Sequence, residues 1–494
     1  MEVDLQFDRS GAIVRPRRHA VIPPGPNMLP HRVFLLPVVA VVGLAGTFGV
    51  ADADEGPPPA EAVADAPAGL TEDEFVELFR EFVDTVDQID RNFVRDIDRR
   101  ELIEAAIRGM VDELDPYSRY VPPRAVDDFT ESIERKFGGV GMQVQVEPRS
   151  RRLIVFSPLP GTPAYRAGVQ AGDVIVAVEG ESTDGMTLRE LTSRLKGDPG
   201  EAVSFSVVRR GEAEPLEIEV VREVIRVPTI LGARYRPDGK VDFAVEPGSD
   251  IGYVRLTNFT RRTGRDLRVV VQNLVRSGTR GLVLDLRGNP GGLLDQAVAV
   301  CDLFLEEGVI VSTAGRNVDE TVWRAKAPGT LPGIPLAVLV NRFSASASEI
   351  VSACLQDAGR AVVVGERTFG KGSVQTVIPL KDGKSVLKLT TAAYRRPSGA
   401  NIHRFPDAAD DDEWGVTPNN GFEDFYSNTD LASLLRQRRD RELIPGLNAE
   451  GAASDDEGAG ETEEDEAPFV DRLLETAIDY IRGELAAESP DPAA

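Results

Sequence analysis

The sequence predicts a multidomain protein that combines α+β and α/β architecture. An N-terminal helical segment leads to a small β-rich module with two helices, an α/β core, and an acidic disordered stretch ahead of a last helix. Three observations carry that expectation. Between about 225 and 425, continuous apolar strands (GLVLDLRGN, PLAVLVN, AVVVGER) alternate with helical runs (LLDQAVAVCDLFL, SASEIVSACLQDA), the pattern of strands buried on both faces. From 136 to 224 the chain turns to short strands broken by glycine turns. From Thr71 apolar residues recur at three- and four-residue steps along one helical face.

The chain has 494 residues, room for roughly two to four domains, and its 41% hydrophobic content is enough to bury real cores. A net charge of −25 speaks against a phosphate backbone as partner, so nucleic acid is not expected. Cys301 and Cys354 lie in apolar stretches and read as small core residues, with no disulfide framework and no metal-ligand spacing. Of the three histidines, His19 and His31 fall in the leader, leaving only His403 for a Ser–His arrangement or a histidine-bound metal.

Residues 1–32 form a basic leader, with Arg15-Pro16-Arg17-Arg18 and His31-Arg32. The apolar run 33–50 then fits either a cleaved secretory signal, with Ala51-Asp52-Ala53 as the small-x-small site, or a retained membrane anchor. Both readings place the remainder outside the cytoplasm, periplasmic or membrane-anchored. Residues 51–70, rich in Ala, Pro, Asp and Glu, read as a flexible spacer.

The helical region spans 71–135. Thr71 and Glu74 form a capping box, and Phe75, Phe79, Phe82, Val86 and Ile89 share a face, which reads as a packing stripe without chemistry. A second amphipathic run, about 100–114, stops at LDPYSRYVPP, ended by Pro116, Pro122 and Pro123. In 136–224, GGVGMQVQV, RRLIVFSPL, GDVIVAVEG and AVSFSVVRR read as strands, and AYRAG and TLRELTSRL as helices. That order, with the phrase PGTPAYRAGVQAGDVIVAVEG, resembles a PDZ domain, a module that holds peptide C-termini by strand addition. The resemblance places the carboxylate-holding loop at Gly139, Val140, Gly141 and Met142. Consecutive backbone N–H groups hold such a carboxylate, and small residues allow the close approach.

The core is expected over 225–430, and two of its strand ends are candidates for chemistry, because α/β folds gather ligands there. At the first, Arg287-Gly288-Asn289-Pro290-Gly291-Gly292 opens a helix and resembles an anion-binding loop; without a following Gly-Lys-Ser/Thr it is no phosphate loop, and a developing oxyanion suits it. At the second, Ser344, Ser346 and Ser348 alternate where strand gives way to helix, and Ser346 with Glu349 forms a capping box. Lys371 lies 25 residues beyond Ser346, and a strand–helix–strand excursion returns it to the helix that Ser346 opens. It is one of only eight lysines among 56 basic residues. A guanidinium stays protonated, whereas burial can lower a lysine from about 10.4 to about 7–8, where it serves as the base for a serine hydroxyl. Gly370 and Gly372 let the backbone close around the amine, and the Gln375 carbonyl can accept from it.

DLRGNPGG, SASASEI and GERTFGKGSVQ together resemble the C-terminal processing peptidase (tail-specific protease) family. The likeness spans roughly 71–425, including LDPYSRYVPP, the PDZ-like module and WGVTPN. It implies a serine peptidase on an α/β core of the ClpP/crotonase kind, with Ser346 as nucleophile and Lys371 as general base. Gln375 would be the supporting glutamine and Glu349 a further active-site residue. The oxyanion donors would be the backbone N–H groups of Ala347 and of the glycine pair, Gly292 ahead of Gly291. The implied activity is endopeptidase cleavage near a protein's C-terminus through an acyl-enzyme, the PDZ module receiving the substrate's free C-terminal tail. No metal or cofactor is implied. A regulatory adaptor protein, a homo-oligomer, and membrane contact through an uncleaved N-terminal segment stay open as partners. The rival reading is a PDZ adaptor or chaperone on an inactive protease fold, which does not require Ser346 and Lys371 together. Three positions depart from the family pattern: Lys196 stands for a usual arginine that couples peptide binding to activation, Arg367 for a proline, and Asn419 for an aspartate. The C-terminal region, 431–494, carries the acidic low-complexity stretch and an amphipathic helix at 468–487 expected to pack on the core or a second subunit.

Overall fold

The computed structural model describes residues 6–7, 13–14, 70–134, 136–147, 150–331, 333–409, 411–442 and 469–488. The apolar run 33–50 and the acidic stretch from 448 lie outside the described residues, which contain no helix long and apolar enough to cross a membrane. The chain divides at Glu81–Phe82 into two compact units.

The helix Glu72–Asn92 starts at the expected capping box: Glu74 accepts from Thr71 N at 2.8 Å, and Glu74 N donates back to Thr71 Oγ1. Its acidic first turn suits the positive end of the helix dipole. None of its residues is buried, and Phe75 is 59% exposed, so the expected packing stripe is exposed among the described residues. The helix Arg99–Asp112 leads into an Asx turn, in which the Asp115 carboxylate accepts from Tyr117 N, Ser118 N and Ser118 Oγ at 2.7 Å each. That turn aims the strand Arg119–Val121 at Ser385–Arg395, with which it pairs antiparallel.

The β-rich module is a sheet in the order Leu216–Val221, Ala202–Val208, Val174–Val178, Leu153–Pro158, Met142–Val146, closed by the turn Pro163–Arg166 and the helix Leu188–Leu195. Inward residues at every second position (Val203, Phe205, Val207) meet Leu191 and Leu195 to form its own core. The chain enters along Lys136–Gly139 and leaves along Glu223–Arg226, and these two segments pair antiparallel into a stalk. Met142–Val146 is left as an edge strand beside the helix Leu188–Leu195.

The core sheet runs Ile230–Leu231, Ile251–Leu256, Gly281–Asp285, Leu336–Val340, Val362–Gly365, the last four parallel. Alternate residues face opposite layers, as the continuous apolar strands require. Leu282, Leu284, Val338 and Val340 pack with the helices Thr263–Arg276, Leu294–Asp302 and Ala347–Asp357, while Val283, Ala337 and Leu339 face the C-terminal helix Arg472–Glu488. That last helix buries Leu473, Ile478, Ile481 and Leu485 with Ala477, on the order of 6–12 kcal/mol of transfer free energy before ordering costs. It covers the core within this chain. A second, antiparallel sheet (Val318–Arg324, Val309–Gly315, Ser385–Arg395, Ser373–Leu380) flanks the first and carries Lys371 just ahead of its last strand.

The helix Asn428–Glu442 was not signalled by periodicity. Its sequence is nearly all polar and only Leu434 is buried; the Ser427–Asp430 box starts it and ion pairs to the core hold it. The departures from the family pattern find local partners. Asn419 Oδ1 accepts from Val363 N at 2.8 Å and Gln356 Nε2 at 3.0 Å, the acceptor role a carboxylate would fill. Arg367 stacks 3.8 Å from the Trp414 ring centre, which a proline could not do. Lys196 pairs with Glu131 at 2.7 Å and lies 4.9 Å from the Phe137 ring centre.

Candidate active site

Ser346 stands where the strand Leu336–Val340 has ended and the helix Ala347–Asp357 begins. Its backbone is strained, φ 56° and ψ −115°, a conformation that L residues rarely hold. The neighbouring serines are committed elsewhere: Ser344 Oγ donates to Leu286 O and Ser348 Oγ to Asn289 O, both at 2.9 Å, and Ser352 Oγ donates to Ser348 O. Ser346 Oγ donates to no carbonyl among the described residues. Of the three alternating serines, it alone does not donate its hydroxyl to a backbone carbonyl among the described residues.

The Glu349 carboxylate binds the site together. Its Oε2 accepts from Ser346 N at 2.7 Å and from Lys371 N at 2.8 Å; its Oε1 accepts from Thr368 Oγ1 and Gly370 N at 2.6 Å each. One oxygen thus fixes the backbones of the serine and the lysine side by side, which is how the excursion through Val362–Gly365 returns the chain. Burial pushes the Glu349 carboxyl up to about 7, against the pull of those four donors.

The Lys371 amine is desolvated, and with Lys388 nearby its pKa falls to about 8; Glu349 and Asp115 pull weakly the other way. The Tyr117 ring, its centre 4.9 Å from Nζ, walls one side of the amine. The Tyr394 phenol is buried, donates to Lys371 O and lies beside the Ser346 hydroxyl. Among the described residues no hydrogen bond joins Lys371 Nζ to Ser346 Oγ. Catalytic hydrogen bonds commonly shorten only when substrate arrives. The Gln375 side chain lies between the strands Ser373–Leu380 and Ser385–Arg395. Its amide nitrogen donates to Ser373 Oγ at 2.9 Å and Thr390 Oγ1 at 3.3 Å, and it makes no hydrogen bond to the amine. A register shift between Val374 and Gln375 accompanies this turn of the side chain towards the strand Ser385–Arg395. His403 makes no hydrogen bond to Ser346 or Lys371: its ring packs edge-on against Phe405, burial lowers its pKa, and Nδ1 is buried without a partner among the described residues.

The backbone N–H groups of Gly292 and Ala347 have no acceptor among the described residues. Gly291 N is taken by Asn289 Oδ1 at 2.9 Å, so of the glycine pair only Gly292 N is without an acceptor among the described residues. A Cβ on Gly291 would sit 2.8 Å from both Ala347 N and Ser346 Cβ, so a side chain there would fill the space in front of the serine. Gly292, at φ 147° and pressed on Phe259 O, needs glycine as well. No group of His, Cys, Asp and Glu side chains among the described residues is arranged to hold a metal ion.

In the β-rich module, Val140 N and Gly141 N also lack acceptors among the described residues. Val140 turns its side chain into the module's core, and Gly141 adopts φ 79° with Thr162 Oγ1 donating to its carbonyl at 2.7 Å. Gly139 closes the stalk and Met142 opens the edge strand.

Known proteins bear on this arrangement. A family profile described as peptidase family S41 matches residues 250–419, a PDZ domain profile matches 154–209, and one for the activating protease CtpB N-terminal domain matches 40–124. A carboxy-terminal-processing protease of Bartonella bacilliformis is 37% identical over 428 residues, covering 83% of this chain and 90% of that protein. A carboxyl-terminal-processing protease of Synechocystis sp. is 34% identical over 63% of this chain and 70% of its own length. Among solved structures, a photosystem II D1 C-terminal processing protease is 29% identical with a TM-score of 0.40, covering 72% of this chain and 94% of that one. The chain belongs to the carboxy-terminal-processing protease family, within peptidase family S41, and carries a PDZ domain.

Proposed function

We propose that this protein is a serine endopeptidase that cleaves proteins near their C-termini, with Ser346 as nucleophile, Lys371 as general base, and the PDZ loop 139–142 holding the substrate's tail. The observation that carries the reading is the shared Glu349 oxygen, which anchors a strained serine and a desolvated lysine to one point. The neutral amine takes the Ser346 proton as Oγ attacks the scissile carbonyl, and the N–H groups of Gly292 and Ala347 receive the oxyanion. The ammonium then gives that proton to the leaving amine. Water, activated by the same base, releases the new C-terminus from the acyl-enzyme. Tyr117 keeps bulk water off one side of the amine. In the PDZ module, the unpaired edge Met142–Val146 suits strand addition and the vacant N–H groups of Val140 and Gly141 suit a carboxylate. The basic leader and the apolar run 33–50 support a catalytic part outside the cytoplasm.

The test uses the full chain and unfolded proteins that differ only in their last few residues. Cleavage that depends on those residues and vanishes in Ser346→Ala and in Lys371→Ala, with folding intact in both, is the expected result. Binding of tails without cleavage by the unmutated chain would instead mark an adaptor on a protease fold.

A further inference from the structure

Asp471, the residue before the C-terminal helix, reaches the oxyanion loop from 184 positions away. Arg287 opens that loop and is fully buried, with its fork divided between two carboxylates. Nη1 and Nη2 meet Asp471 at 2.7 and 2.9 Å, while Nε and Nη2 meet Asp285 at 3.1 and 2.7 Å. Arg438 adds a second cation at 2.6 Å from Asp285. Tyr253 donates to Asp285 at 2.7 Å and Tyr426 to Asp471 at 2.9 Å. Two buried carboxylates thus face two guanidiniums.

We propose that Arg287 and Asp471 are positioning residues for the oxyanion loop, so that the C-terminal helix holds the catalytic centre in its working geometry. The inference rests on the Ser346–Lys371 reading above. A chain of hydrogen bonds carries the position of Arg287 forward. Gly288 N is fixed by Asn341 Oδ1 at 2.9 Å, and Asn289 Oδ1 fixes Gly291 N. The Asn289 carbonyl accepts from Ala345 N at 3.0 Å and Ser348 Oγ at 2.9 Å, one residue before and two after the nucleophile. Gly291 O and the Leu293 N–H pair with Phe259, which sets the Gly292 N–H between them. A shift at Arg287 therefore moves Gly292 against Ala347. Packing alone would hold the helix, since its apolar face is already buried, and buried ion pairs are poor stabilisers compared with apolar residues of like size. What a bidentate pair supplies is direction.

The experiment compares full-length variants. Asp471→Asn should lower kcat at least tenfold with KM within threefold, and speed amide hydrogen exchange over residues 287–293 at least tenfold. Asp471→Glu should restore part of both. Tyr426→Phe, which removes a single donor to Asp471, should shift both readouts the same way by about two- to fivefold, and it carries the test if Asp471→Asn does not fold. Ile481→Ala loosens the same helix by packing alone; assayed well below its melting temperature, it should leave kcat and loop exchange unchanged. Wild-type kcat and wild-type loop exchange in the Asp471 variants would overturn the proposal, as would equal losses in Ile481→Ala. Were the unmutated chain to cleave nothing, the peptidase reading would fall and loop exchange alone would decide this one.

Discussion

Burial brings the Lys371 amine to about 8, so below that value each pH unit leaves about tenfold less free base for the serine. The rate constant kcat/KM should therefore rise with pH and level off above about 8. Protonation of Glu349, pushed up to about 7, acts in the same direction by removing the acceptor that ties the two backbones. A flat profile from pH 6 to 9 would contradict the base assignment. The linked stability has a definite sign: a lysine lowered in the fold is more easily protonated in the unfolded chain, so stability rises as pH climbs from about 8 towards 10.5, by on the order of 3 kcal/mol. Lys371→Arg should be inactive at every pH, because its guanidinium keeps its proton. Glu349→Gln turns an NH2 group towards backbone donors; it should cost about 1–3 kcal/mol of stability and at least a hundredfold in kcat, read by thermal melts and steady-state kinetics. Ser346 gives a separate check. Its φ of 56° costs on the order of 1–3 kcal/mol, so Ser346→Gly should melt higher than Ser346→Ala although both are dead; the reverse order would show that the serine is not strained.

At the scale of elements, the PDZ loop and the C-terminal helix each depend on a glycine that admits no side chain. A Cβ at Gly141 would lie 2.3 Å from Thr162 Cβ, at a φ where L residues are already strained. Gly141→Val should thus weaken tail-dependent cleavage far more than cleavage of an unstructured peptide without a tail, and equal losses would mean that the loop is only structural. A Cβ at Gly281 would lie 2.2 Å from Ile481 Cγ2 on the helix. Gly281→Ala should destabilise by about 1–3 kcal/mol, and Ile481→Ala in the same chain should recover part of that loss, a coupling that a double-mutant cycle in denaturant would measure.

For the whole molecule, Arg287 and Arg438 hold the buried Asp285 well below the usual carboxylate range and lower Asp471 as well, against the cost of burial. Depressed carboxylates stabilise the fold above about pH 4 and that stability is lost as pH falls through their folded values, so Asp471→Asn should flatten the acid unfolding curve. The sequence by itself determined the division into modules, because strand alternation, glycine turns and helical period are local properties. It also put forward Ser346 and Lys371 as a candidate pair, a serine at a strand end and a lysine that a strand–helix–strand excursion returns to it, whereas Gly292 came only from the family resemblance. Tertiary structure alone decided what surrounds them. Tyr117 comes to the amine through the pairing of Arg119–Val121 with Ser385–Arg395, Tyr394 on that strand reaches the Lys371 carbonyl, and Gln375 donates to Thr390 beside a register shift. The polar helix Asn428–Glu442 forms because the core supplies its partners, and Asp471 meets Arg287 because opposite faces of one sheet must both be covered. Contacts between residues so far apart in sequence leave no period to read; only closure of the core brings their charges within reach.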